Sequence, residues 1–146
     1  MTVPQSEIRK MTIPTRLEYS KDARDFVQKF LEDHGLSMRT TMKLMLVADE
    51  AVVNAITHGV TGDEKSLINI RCSIDPERVE FKITDQAGKK FDPDYFERIA
   101  KVKQWNRGGR GILLINRIMD EVMYITERGK QTLLYMVKYL EEADRA

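Results

Sequence analysis

The chain has 146 residues, enough for one domain whose core removes roughly two-thirds of the unfolded surface from water. With 42% hydrophobic and 32% charged residues it reads as globular, and a net charge of +1 excludes bulk electrostatic capture of nucleic acid. A single cysteine, Cys72, excludes an intrachain disulfide; the charged stretch Met1–Lys10 is no secretory signal, and no run reaches the ~20 apolar residues of a membrane helix. A cytoplasmic single domain spanning residues 1–146 is expected.

In chain order, Met11 to Leu17 alternates apolar and polar residues, and Pro14 demotes the segment to an edge strand. Ser20 is the expected N-cap of a first helix, with Ala23, Phe26, Val27, Phe30 and Leu31 at helical spacing and Gly35 ending the run. His34, beside Gly35, is expected at the surface, where it favours the helix dipole. A second helix begins near Ser37, with Met42, Met45, Leu46, Val53 and Ile56 expected on its buried side and Gly59 as its stop. Ile68, Ile70, Cys72 and Ile74 then alternate with polar residues, Asp75 to Arg78 turn the chain, and Val79, Phe81 and Ile83 repeat the pattern. Asp85 is the next residue on that inward face.

From Gln86 to Arg107 there is no strong strand pattern, only a short helix expected near Asp92 and Pro93. A segment of this length inside a small domain suggests a functional lid, placed here at about residues 86–110. Gly111 opens a third helix running to Met119, and two strands follow, Val122–Thr126 and Gln131–Tyr139. This order predicts a two-layer α/β sandwich: one mostly antiparallel sheet with its helices on one face.

Three features carry chemistry. Glu50, Asn54 and His58 recur at i, i+4, i+8 and form one polar stripe on the second helix, which faces either water or a ligand. Asn54 offers a neutral oxygen suited to Mg²⁺, and Glu50, one turn earlier, can accept a hydroxyl proton. Asp85 continues an apolar series, so its carboxylate needs a donor: either an adenine amino group or the backbone of the following turn. Arg107, Gly108, Gly109, Arg110 and Gly111 lead into the third helix, where glycines let the backbone approach a phosphate and free N–H groups attract it. A plain flexible connector would look similar. Between Ala87 and Gly111 seven basic residues face three acidic ones, a balance that suits a triphosphate or a solvated charge run. The P-loop pattern and the full dinucleotide fingerprint are both missing, so any ATP site uses another architecture.

Together the three segments resemble the GHKL (Bergerat-fold) ATPases, and more narrowly the bacterial anti-sigma-factor serine kinases. Asp49-Glu50-Ala51-Val52-Val53-Asn54-Ala55-Ile56-Thr57-His58-Gly59 is similar to that family's N box. Ile83-Thr84-Asp85 is similar to its adenine box, and Gly108-Gly109-Arg110-Gly111-Ile112-Leu113-Leu114-Ile115 to its second glycine box. The likeness runs from about Ile13 to Leu140. It implies a Bergerat fold that binds ATP and Mg²⁺, with Glu50 as general base, Asn54 as metal ligand and Asp85 reading the adenine amino group beside Thr132. It also implies that Arg24 contacts a protein partner. The implied partners are a sigma factor and a STAS-type anti-sigma-factor antagonist phosphorylated on serine, both held by a homodimer. Ala87 stands where the family keeps a glycine, so the turn after Asp85 is expected to be rebuilt around Gly88. The same resemblance leaves room for a binding module that keeps the fold and transfers no phosphate. A histidine kinase fits less well, since only His34 and His58 are present and no dimerisation helix carries an acceptor.

Overall fold

A computed structural model describes residues 6–59, 66–85, 110–127 and 131–146. The lid expected at about 86–110, including Gly88, Arg107, Gly108, Gly109 and the short helix near Asp92, lies outside the described residues except for Arg110. The described elements are β1 (Glu7–Pro14), α1 (Ser20–Glu32), α2 (Met38–Gly59), β2 (Leu67–Ile74), β3 (Arg78–Asp85), α3 (Arg110–Ile118), β4 (Glu121–Glu127) and β5 (Gln131–Tyr139). The five strands form one sheet in the order β1-β2-β3-β5-β4, antiparallel throughout. Helix α1 lies against β1 and β2, α2 lies against α1, β3 and α3, and α3 also meets β4. This is the two-layer α/β sandwich that the element order predicts.

The strands follow the two-residue period closely. Ile68, Ile70, Cys72 and Ile74 of β2 and Val79, Phe81 and Ile83 of β3 are buried, with polar residues between them. The turn between these strands is tied by Asp75, whose Oδ1 accepts the amide protons of Glu77 (2.7 Å) and Arg78 (2.9 Å). Strand β1 sits at the sheet edge, as Pro14 requires, although it begins at Glu7, four residues before the alternation is evident.

The helices depart from the sequence reading in three places. Tyr19, not Ser20, is the N-cap of α1; the Ser20 hydroxyl instead donates to the Leu17 carbonyl at 2.7 Å. On α2 the core face is Leu44, Val47, Ala48, Ala51, Val52, Ala55 and Ile56, whereas Met42 and Leu46 are 60% and 52% exposed. A helix pressed between α1, β3 and α3 needs small residues at the contact, and alanines and valines supply them. His34 is buried rather than at the surface: its Nε2 lies 2.8 Å from Glu7 Oε1 and its ring packs on Phe30. Gly35 then turns the chain with φ 67°, a conformation costly for residues bearing a Cβ.

That turn is clasped from a distant part of the chain. The Ser37 amide donates to the Asp144 carbonyl (2.8 Å), the Thr40 hydroxyl to Asp144 Oδ1 (2.8 Å) and the Ala146 amide to the Gly35 carbonyl (3.0 Å).

Phe30 anchors the layer between α1 and β1. It is fully buried, with His34 on one side and the Arg9 guanidinium 5.4 Å from its ring centre. Phe30→Ala is expected to lower unfolding stability by about 3–5 kcal/mol, read as a fall in urea midpoint at constant slope.

Candidate nucleotide site

The sheet brings two of the expected residues face to face. Asp85 is the last residue of β3, on the inner face and 3% exposed. The antiparallel register sets Thr132 of β5 directly opposite Asp85 on one side and Ile68 of β2 on the other. A carboxylate at the end of the central strand is thus held by strand pairing on both flanks. The same pairing that packs Val79, Phe81 and Ile83 into the core fixes where it lies.

Helix α2 contributes the polar stripe. Glu50 and Asn54 are half-buried, bordering the core residues Ala51, Val52 and Ala55, while His58 lies one turn further along the same helix. Because α2 packs against both β3 and α3, the helix bearing Glu50 and Asn54 touches the strand ending in Asp85 and the helix opening at Arg110. Helix α3 begins at Arg110, one residue before the start expected from Gly111, so Arg110, Gly111 and Ile112 form its first turn. The N–H groups of such a turn have no partner within the helix and point along its axis towards incoming anions. Among the described residues, α2, which bears the polar stripe, therefore meets both the strand that ends in the buried carboxylate and the helix that opens at Arg110.

Arg24 is exposed, on the side of α1 away from Ala23, Val27 and Phe30. Its Nη2 pairs with Asp49 Oδ1 at 2.9 Å and its Nε donates to the same oxygen at 3.1 Å. Sequence reasoning missed this tie between the first helix and the residue preceding Glu50. It missed, too, the exposed row Met38, Met42 and Leu46, which continues on α2 towards Asp49. The signal was present: at 100° per residue these three side chains fall with Asp49, not with Val47 and Ala51.

Over residues 13–138 the chain matches the histidine kinase-like ATPase domain, and it belongs to that family. The serine-protein kinase RsbW of Oceanobacillus iheyensis is 28% identical, over 92% of this chain and 88% of its own length. The RsbW of Halalkalibacterium halodurans is 28% identical over 97% of this chain. The anti-sigma F factor of Bacillus cytotoxicus is 27% identical over 84% of this chain and 85% of its own. Among solved structures, a chain in the crystal structure of the SiaB-SiaC complex from Pseudomonas aeruginosa shares the fold, with a TM-score of 0.64 at 13% identity and 88% of each chain covered.

Proposed function

We propose that this chain is an anti-sigma factor with ATP-dependent protein serine kinase activity. It phosphorylates a STAS-type anti-sigma-factor antagonist and sequesters a sigma factor, acting as a homodimer in the cytoplasm. The observation that carries the reading is the buried Asp85 at the end of β3, in register with Thr132 and beside the helix that bears Glu50 and Asn54. The names of the relatives, serine-protein kinase and anti-sigma F factor, support it. Among the described residues no helix is long and apolar enough to cross a membrane.

The donor set suits the ligands proposed. Asp85 accepts the adenine amino protons, with Thr132 opposite it in the strand register. Asn54 gives a neutral oxygen to Mg²⁺, a cation that holds few protein ligands and completes its shell with water and phosphate. His58 extends the polar stripe, and the first turn of α3 turns its amides to the phosphates. Glu50 takes the proton of the substrate serine. ATP supplies the phosphoryl group and Mg²⁺ offsets its charge.

The experiment is a thermal melt with nucleotide. ATP and Mg²⁺ at a hundred times the dissociation constant stabilise the native state by about 2.7 kcal/mol, a rise of roughly 5–10 °C for a domain of this size. Asn54→Ala should abolish the Mg²⁺-dependent part of that rise. An unchanged shift removes Asn54 from the metal.

The partner surface is proposed to centre on Arg24, with the apolar row of α2 alongside it. Exposed methionines adapt to varied apolar partners, and an arginine at such a surface is a common source of binding energy. Arg24→Glu is expected to leave ATP binding intact and to weaken the protein complex by about 2 kcal/mol or more. Pull-down of sigma factor and antagonist at native strength would show that the arginine is not a contact.

A further inference from the structure

The sheet face turned away from the helices carries a charge arrangement that the kinase reading does not use. The register sets Lys10 of β1, Arg71 of β2 and Lys82 of β3 directly opposite one another across three adjacent strands. Like charges facing each other in a sheet repel, and a domain normally offsets such a row with acidic neighbours. Here no acid does so. Among the described residues none of the three cations has an ion-pair partner. The nearest carboxylate along β3, Glu80, is already engaged: it pairs with Arg78 at 3.1 Å and accepts the hydroxyl protons of Ser73 (3.1 Å) and Tyr135.

The row also borders a cavity of about 350 Å³, lined by Lys10, Thr12, Asn69, Arg71, Lys82 and Thr84 together with the apolar Met11 and Ile70. Each of the six polar side chains can donate a proton. Arg71 is half-buried; its Nε–H is out of reach of solvent and, among the described residues, has no acceptor, so the terminal N–H groups of the guanidinium are the ones left to meet a ligand. Thr12 donates to Asn69 Oδ1 at 2.7 Å, which fixes the carboxamide and leaves its N–H₂ group free to donate. Neighbouring strands are about 4.8 Å apart, so three long cationic side chains from successive strands are able to reach a common centre.

From this geometry we propose that the outer face of the sheet holds a binding site for a compact multivalent oxyanion of the phosphate type. A tetrahedral oxyanion with two or more negative charges presents three or four acceptor oxygens, which matches three converging cations flanked by neutral donors. A single carboxylate presents two. The site is distinct from the nucleotide pocket, because Lys82 and Thr84 point to the face opposite Ile83 and Asp85. It holds or fails independently of the kinase reading.

Calorimetric titration of the nucleotide-free chain with pyrophosphate, at fixed ionic strength in chloride buffer, tests the site. Arg71→Gln and Lys82→Gln are expected to weaken the affinity at least tenfold each. They should also melt no lower than the native chain in chloride alone, because each relieves repulsion within the row. Two variants are used so that a folding defect in one leaves the other to decide. Inorganic phosphate and AMP are titrated alongside. If inorganic phosphate shows the larger Arg71-dependent loss, the ligand is a free oxyanion; if AMP does, it is a phosphate carried on a larger molecule. Pyrophosphate binding whose affinity and stoichiometry are unchanged in both variants overturns the proposal, as does its absence from the native chain.

Discussion

Glu50→Gln is expected to slow phosphate transfer to the antagonist by about 10²–10⁴-fold while leaving ATP affinity nearly unchanged. A serine hydroxyl is a poor nucleophile until its proton has somewhere to go, and the remaining work of phosphoryl transfer is positioning and charge neutralisation. Glu50 lies one helical turn before Asn54 and is half-buried at the edge of the core, so the proposed base and the proposed metal ligand stand on one helix. Glutamine keeps the shape and a hydrogen-bonding head but cannot take up the proton. Single-turnover transfer at saturating ATP, run beside a binding titration, separates the possibilities. Transfer at the native rate would falsify the base assignment. Loss of ATP binding would place Glu50 in the metal shell or the scaffold. Capture of the sigma factor should survive the change, because Arg24, on another helix, is the residue proposed to carry it.

Asp85→Asn is expected to cost ATP affinity about 10–100-fold, the worth of a hydrogen bond to a charged group in a buried position. The discrimination matters more than the loss. The carboxylate only accepts, which suits the amino group of adenine; guanine carries a carbonyl at the corresponding edge and is expected to be rejected. Asparagine also donates, so the variant should lose ATP more than GTP and narrow the difference between them. Because the side chain is isosteric and 3% exposed at the end of a strand paired on both sides, the fold is expected to persist, with unchanged far-ultraviolet circular dichroism. Equal losses for both nucleotides would exclude Asp85 from base recognition.

What could be read from the sequence divides along physical lines. The strands β2 and β3 were legible because a half-buried strand writes its burial as strict alternation, and Asp85 fell on the inner face by the same count. Register across strands is invisible to that count. The alternation alone does not place Thr132 opposite Asp85, which only the family resemblance implied, and that Lys82 stands opposite Arg71 emerges only when the hairpins are assembled. Helix α2 was misread for the opposite reason. Large apolar side chains such as Met42 and Leu46 draw the eye to the wrong stripe, whereas close packing on three neighbours selects alanine and valine. His34 was misplaced because its partner, Glu7, lies on a strand 27 positions away, and local reasoning sees only the helix end and the glycine beside it.

The clasp on the turn between α1 and α2 bears on how the chain acquires its structure. Two packed helices adjacent in sequence are the most local part of the fold, and local contacts form fastest. Yet the bond from Thr40 to Asp144 spans 104 residues, and closing so long a loop must wait for the strands between to pair. The helical hairpin is therefore an early arrival with an open hinge. Its entry into α2, the element that carries Glu50 and Asn54, is locked only by the final segment to dock. Assembly of the sheet and preorganisation of the proposed catalytic helix are therefore expected to be one event.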